Sequence, residues 1–325
     1  MKAILHSCLL LSLYGAELHA EDIADLRSQF ENGRRLADAG QFAEAEAVFR
    51  ATIRDAEQKG RSDWAAFALN ATALLYEARG RYLDAEKMTQ SALRTLERIQ
   101  GSDSPATAVI GTDLASLYLI TGRFSEARSL LQRIVIILEN TPGAEPVLVD
   151  ALTHLGSLYI WTNKVGQAEP LLRRALDIAL HGGGNEIQIA NCLNDLAFSL
   201  LLAKQYPEAM TLSERSMQIL DQVANPPAQS RILALRIRAA TGFKKQEFSE
   251  AESWLQRALA IAENAYGHDH PAIGWVLLEY SVVLDRLHRK EAAKQTRKRA
   301  EAILLANLRA NGRVYIVDFS ELLTR

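Results

Sequence analysis

One short signature recurs seven times along the chain, and its spacing leaves few folds open. A Gly or polar residue precedes an aromatic or aliphatic one, and Glu or Asp with Ala follows. It stands at Gly40-Gln41-Phe42 with Ala45, at Gly80-Arg81-Tyr82 with Ala85, and at Gly122-Arg123-Phe124 with Ala127. Looser copies are Lys164-Val165 with Ala168, Gln205-Tyr206 with Ala209, Glu247-Phe248 with Ala251, and a degenerate Arg289-Lys290 with Ala293. From Ala45 to Ala293 the successive alanines keep a nearly constant separation. The period, a little over forty, marks an array in which each unit buries its apolar face only against its neighbours.

Each copy reads as two helices. Upstream runs an apolar pattern at helical spacing, such as Leu114, Leu117, Tyr118 or Leu152, Leu155, Tyr159; downstream runs a second, such as Leu171, Leu172, Ala175, Leu176. The signature is the turn between them. Gly40, Gly80 and Gly122 supply the left-handed residue that ends the first helix. The small Ala lets the second helix approach closely, and Glu44, Asp84 or Glu126 favours that helix's positive N-terminal end.

The segments Ala168-Glu-Pro-Leu-Leu-Arg-Arg-Ala-Leu176, Leu193-Asn-Asp-Leu-Ala197 and Gly267-His-Asp-His-Pro271 carry a resemblance. Gly101-Ser-Asp-Ser-Pro105 and Gly143-Ala-Glu-Pro146 echo the last of these. The sequence resembles the tetratricopeptide repeat family, in the longer variety found in kinesin light chains. The resemblance implies an all-α, right-handed superhelical solenoid of about seven antiparallel helix pairs, with first helices lining the concave side. The period alone also admits HEAT or armadillo repeats, and the small-residue and aromatic anchors favour the tetratricopeptide reading. Lys164-Val165 departs from the Gly-aromatic turn, and Gly242 stands at an aromatic position. The expected organisation is a leader at 1–20, seven units over 21–310 and an extended tail at 311–325.

The leader reading rests on Lys2, a mostly apolar run from Ala3 to Ala16, and the small residue in Leu18-His19-Ala20. That is the layout of a secretory signal peptide, shorter than a membrane span. It implies a chain exported to a periplasm or secreted, and a cytoplasmic one if the segment is not a leader. No later stretch is apolar enough to cross a bilayer, so no membrane span is expected in the mature chain. Cys8 leaves with the leader and Cys192 stays alone, a buried structural thiol in a helical pattern with Leu196 and Leu200. A formal charge of −2 gives no footprint for nucleic acid.

No residues converge on catalysis. His268-Asp269-His270 is the one dense cluster that suggests a metal, but it has no third ligand nearby. It reads as a loop in which Asp269 and Pro271 open the next helix. Gly182-Gly183-Gly184 lacks the Lys-Ser/Thr of a phosphate loop and reads as a connector. Nucleophile elbow, zincin pair and Cys192 triad are absent. No enzyme activity, cofactor or metal is expected. The basic run Arg289, Lys290, Lys294, Arg297, Lys298, Arg299 reads as the solvated face of a terminal helix before it reads as a patch for acidic partners.

Counting back from each signature Ala to the fifteenth and fourteenth positions before it gives the pairs that, by the resemblance, face the groove. They are Asn70-Ala71, Thr112-Asp113, Thr153-His154, Asn194-Asp195 and Arg236-Ile237. Short polar side chains there suit the backbone of an extended peptide, and Phe67, Ile160, Trp161 and Phe198 offer apolar contact nearby. The expected function is a non-catalytic scaffold that binds a peptide or protein segment in its groove. The alternative is a structural or assembly protein that uses convex or terminal surfaces for permanent contacts. Arg313 to Phe319 breaks the pattern with β-branched and aromatic residues. There Val314, Ile316 and Phe319 are expected to fold back near Leu304 and Leu308 as a cap, with occupation of the groove and strand addition to a partner as rivals.

Overall fold

The computed structural model describes residues 20–182, 184–311 and Leu323. They form helices and the turns between them. The first three hairpins are α1 (Ala20–Asp38) with α2 (Phe42–Gln58), α3 (Ser62–Ala78) with α4 (Tyr82–Gln100), and α5 (Pro105–Ile120) with α6 (Phe124–Glu139). Next come α7 (Glu145–Trp161) with α8 (Val165–His181) and α9 (Glu186–Leu202) with α10 (Tyr206–Gln222). The last are α11 (Ala228–Lys244) with α12 (Phe248–Tyr266) and α13 (Pro271–Arg286) with α14 (Lys290–Asn311). The chain divides into two compact units, residues 1–154 and 155–325, with the boundary inside α7.

The signature turn has one geometry throughout. In the first copy the amide of Gln41 donates to the Leu36 carbonyl at 2.9 Å and that of Gly40 to Ala37 at 3.0 Å. This is the Schellman pairing, which satisfies the orphan carbonyls of the ending helix. The seventh copy repeats it, with Arg289 donating to Leu284 at 3.0 Å and His288 to Asp285 at 3.1 Å. The residue five before each signature Ala is left-handed in every copy. It is Gly40, Gly80 and Gly122 in the first three, and Asn163, Lys204, Gln246 and His288, at φ 58 to 66°, in the last four. A side chain there is strained by about 1–2 kcal/mol, of which Gly returns part as lost backbone order. Replacing Gln246 and His288 by Gly is therefore expected to raise stability by about 0.5–1 kcal/mol each, read as a higher Tm.

First and second helices bury different amounts. All seven signature alanines are 0% exposed, and each starts a stripe along the second helix. In α6 the stripe is Ala127, Leu131, Ile134, Leu138; in α8 it is Ala168, Leu172, Ala175, Ala179. That 4-3-4 spacing is one face of a helix packed on one side only. First helices are buried nearly all round: α5 buries every residue from Ala106 to Ala115. The residue twelve before each signature Ala is small and buried in all seven copies: Gly33, Ala73, Ala115, Gly156, Ala197, Ala239 and Ser281. A Cβ on Gly156 would lie 2.6 Å from the Leu172 side chain, so this is where each hairpin closes. At Gly242 the missing aromatic is answered by Trp254, whose ring would meet a Cβ at 2.8 Å.

Unit 1 has an aromatic stack at its start, Phe30 with Phe49 at 5.5 Å and with Trp64 at 6.2 Å between centroids. The Glu after the signature Ala ties successive hairpins together: Glu46 accepts from the Tyr76 hydroxyl at 2.9 Å and from Arg79 at 3.2 Å. In unit 2, Glu252 accepts from the Tyr280 hydroxyl at 3.0 Å and from Arg289 at 2.7 Å. The core of unit 2 runs from Ile160 through Leu196, Leu235, Leu255 and Val276 to Ile303. It also takes in Leu323, which is 2% exposed. Residue 323 of the tail is thus packed, while Val314, Ile316 and Phe319 lie outside the described residues, as do residues 1–19 of the leader. Leu308, expected beneath the tail, is 48% exposed.

The connectors carry their own caps. The Ser104 hydroxyl accepts from the Thr107 amide at 3.1 Å and Asn185 Oδ1 from the Gln188 amide at 3.0 Å, each opening a first helix. In Gly267-His-Asp-His-Pro271 the cap is His270, not Asp269: its Nδ1 accepts from the Ala272 amide at 3.2 Å, and its ring stacks on Tyr266 at 4.4 Å. Cys192 is a buried thiol.

Candidate partner-binding face of the first helices

The paired positions that the sequence assigns to the groove sit mid-way along α3, α5, α7, α9 and α11. The two members differ in depth in Thr153-His154 and Asn194-Asp195, where the second is partly exposed; in the other three pairs both are buried. A helix turns about 100° per residue, so when one of two neighbours faces the solvent-accessible side the other turns toward the next hairpin.

In unit 1 the inner members are spent on structure. Asn70 is 3% exposed and its Nδ2 donates to Asp113 Oδ2 at 2.6 Å, linking α3 to α5. Thr112 and Thr153, both buried, donate their hydroxyls to carbonyls one turn back, Ala108 at 2.9 Å and Val149 at 2.8 Å. His154 is partly exposed. Asn70, Thr112, Asp113 and Thr153, which the sequence assigns to the groove, are thus buried, and each makes a hydrogen bond inside the fold, as a polar group taken from water requires.

Unit 2 shows the same division. Asn194 is 0% exposed and its Nδ2 donates to the Ser230 carbonyl at 2.9 Å, while the Ser230 hydroxyl donates to Asn191 Oδ1 at 2.6 Å. Arg236 is buried: its Nε donates to both oxygens of Glu279, at 2.9 and 3.0 Å, and its Nη2 bonds Oε1. Phe198, expected as an apolar contact, is buried in the core at 6% exposure. Asp195 and Trp161 are partly exposed. Sequence reading missed Glu279, Asn191 and Ser230. The signal for Glu279 is its spacing: Asn70 to Asp113 and Arg236 to Glu279 are both 43 apart, just over one repeat.

Asp113 is the electrostatic weak point of unit 1. Burial pushes its carboxyl well above the usual range, the Asn70 bond works against that, and the neighbouring Glu77 and Asp150 carboxylates add to the rise. A pKa above the unfolded value means the ionised form is disfavoured in the fold. The stability available at low pH is lost as pH rises through the folded pKa. Asp113→Asn keeps an acceptor for Asn70 and removes the charge. It is expected to stabilise by about 1 kcal/mol at pH 7 and by nothing near pH 3, read by melting at both pH values.

Among the described residues no group of three or more His, Cys, Asp or Glu is placed to hold a metal ion, and no helix is long and apolar enough to cross a membrane. Hairpins of one pattern, closed by one small residue and one left-handed turn, define a helical-repeat protein. The chain belongs to the tetratricopeptide repeat family, whose repeat matches residues 64–140, 148–222 and 231–306. No curated protein sequence matches it. Among solved structures it is similar to BtubC (BKLC) from P. vanneervenii, at 18% identity and a TM-score of 0.53 over 70% of this chain and 91% of that one. It is also similar to the apo form of RapI, at 12% identity and a TM-score of 0.60 over 88% and 99%. A third is a Rap protein complexed with Competence and Sporulation Factor, at 12% identity and a TM-score of 0.58 over 88% and 99%. At such identities the likeness is one of fold.

Proposed function

We propose that this chain is a non-catalytic scaffold that binds a segment of a partner protein or peptide along its first helices, and that it does so after export. The observation that carries the reading is the register of the half-exposed residues. His154 and Asp195 occupy the same repeat position, each next to a buried residue, Thr153 or Asn194, that is bonded to backbone. A side chain held on a rigid helix beside a fixed neighbour loses little entropy on binding. Membership of the tetratricopeptide repeat family supports the reading, as does a fold relative solved in complex with the Competence and Sporulation Factor. The leader-like pattern of residues 1–20 supports export.

The test uses residues 21–325 as bait on the envelope and secreted fractions of the source cell, followed by affinity measurement on the purified partner. His154→Ala and Asp195→Ala are each expected to weaken binding about threefold or more, since a lost hydrogen bond costs about 0.5–1.5 kcal/mol. Melting of each variant separates lost binding from lost stability. Equal affinity in both variants would overturn the assignment of the site to this row.

A further inference from the structure

The turns between first and second helices carry a cation in most repeats, and the two units treat these cations differently. In unit 1 each one has a carboxylate: Arg79 has Glu46 at 3.2 Å, Arg81 has Asp84 at 2.6 Å, and Arg123 has Glu86 at 2.5 Å and Glu126 at 2.9 Å. In unit 2, Lys245 pairs with Glu247 and Arg289 with Glu252, both at 2.7 Å. Lys204, Lys244 and Arg286 form no ion pair among the described residues, and Asp285, the acid beside Arg286, is taken by Arg297 at 2.8 Å.

Lys244 and Arg286 are the last residues of α11 and α13, and Lys204 stands in the turn just after α9, so the three come from three successive repeats. Geometry brings Arg286 and Lys244 together: the Arg286 guanidinium lies over the Phe243 ring at 5.5 Å, next in sequence to Lys244, and Phe243 packs on Phe248 at 5.2 Å. Burial, and then the charges of Lys204 and Arg286, lower the pKa of Lys244, so Lys244 senses a cation from the repeat on either side of it. A helix C-terminus favours one cation by about 0.3–1 kcal/mol, which accounts for each singly and not for three that repel. Like charges gathered without a counter-ion are a field that attracts an anion.

We propose that the turn edge of unit 2, built by Lys204, Lys244 and Arg286 beside Phe243, is a docking surface for an acidic polypeptide segment, separate from the first-helix row. Neighbouring helices pack about 8–10 Å apart, and an extended chain advances about 3.3 Å per residue. The matching segment therefore carries a carboxylate at about every third residue.

The probe is a fluorescein-labelled synthetic dodecapeptide with Glu at every third position and Ser or Gly elsewhere, titrated with residues 21–325 and read by anisotropy. The expected result is binding that weakens steeply with added salt. Lys204→Gln/Lys244→Gln/Arg286→Gln should lower affinity about tenfold or more and abolish most of the salt dependence. The double variant Lys204→Gln/Lys244→Gln keeps the Arg286–Phe243 contact, and it should lose most of the binding with an unchanged or higher Tm. Lys290→Gln, and the His154→Ala/Asp195→Ala pair that tests the first-helix row, should bind the probe as the parent does. Equal affinity in the triple variant, or no binding at low salt, overturns the proposal. So does tighter binding of a single-stranded oligonucleotide of equal charge, which would make the edge a nucleic-acid surface.

Discussion

Arg236→Met is expected to destabilise unit 2 by about 3–5 kcal/mol. Arg236 and Glu279 are almost wholly withdrawn from water, with side-chain exposures of 6% and 1%. The guanidinium meets the carboxylate through Nε and Nη2, a fork geometry that a Lys at this position could not reproduce. Desolvating two charges costs nearly as much as their attraction returns, so the pair is a poor source of net stability. Removing one partner is a different matter, because Glu279 is then left buried without its cation. Arg236→Met/Glu279→Met should recover most of the loss, to within about 1 kcal/mol of the parent, since both sites are then apolar and of similar volume. Denaturant unfolding of the three variants checks both statements. A loss below about 1 kcal/mol in Arg236→Met would mean that water reaches the pair.

Such a pair also explains what the sequence could and could not reveal. The repeat was legible because it is written in packing. A buried Ala at every hairpin closure cannot grow without separating two helices, so its spacing survives as a pattern, and all seven alanines are buried where that pattern puts them. The left-handed turn was legible where Gly occupies it and hidden where Asn163, Lys204, Gln246 and His288 do, because a non-Gly residue can be forced into that conformation by a surrounding turn. The small residue twelve before the Ala was present in the sequence throughout, from Gly33 to Ser281, but Ala is common in helices and carries little signal alone.

The candidate row was only half legible. Sequence places Thr153 and His154, or Asn194 and Asp195, side by side with equal polarity. Asn194 turns inward to what the next hairpin offers, most of a repeat further along the chain, whereas Thr153 bonds one turn back in its own helix. Asn70 finds Asp113 and Arg236 finds Glu279, whereas Asn194 finds a backbone carbonyl, that of Ser230. No local propensity encodes these partners; only alignment of one repeat against the next would expose the spacing that the first two share. The tail and leader rest on sequence alone; of the tail beyond Asn311 only Leu323 is described, buried in the core of unit 2. The cation edge was missed for a related reason: Lys204, Lys244 and Arg286 stand one repeat apart and form no run.

The second large effect is a loss of stability on acidification, traced to His270. Its imidazole caps α13 as an acceptor, so it must be neutral at Nδ1, and burial against Tyr266 lowers its pKa from 6.5 to about 4. A lowered histidine pKa means the unfolded chain takes up the proton first as pH falls. The stability held by the neutral ring is complete above about pH 6.5, declines between 6.5 and 4, and is gone below that. At about 1.36 kcal/mol per pKa unit the fall is about 3 kcal/mol at most. Carboxylates elsewhere lose their own bonds toward the acid end, so the comparison must be with a variant that changes this ring alone. His270→Asn keeps an N-cap acceptor that does not titrate. Unfolding free energies at pH 7, 6, 5 and 4 should fall more steeply in the parent than in the variant, by about 2–3 kcal/mol over the range. An NMR titration of the His270 ring should place its midpoint near 4. A midpoint near 6.5, or parallel pH profiles for the two proteins, would show that the proton reaches this ring in the folded chain and that the cap is solvated.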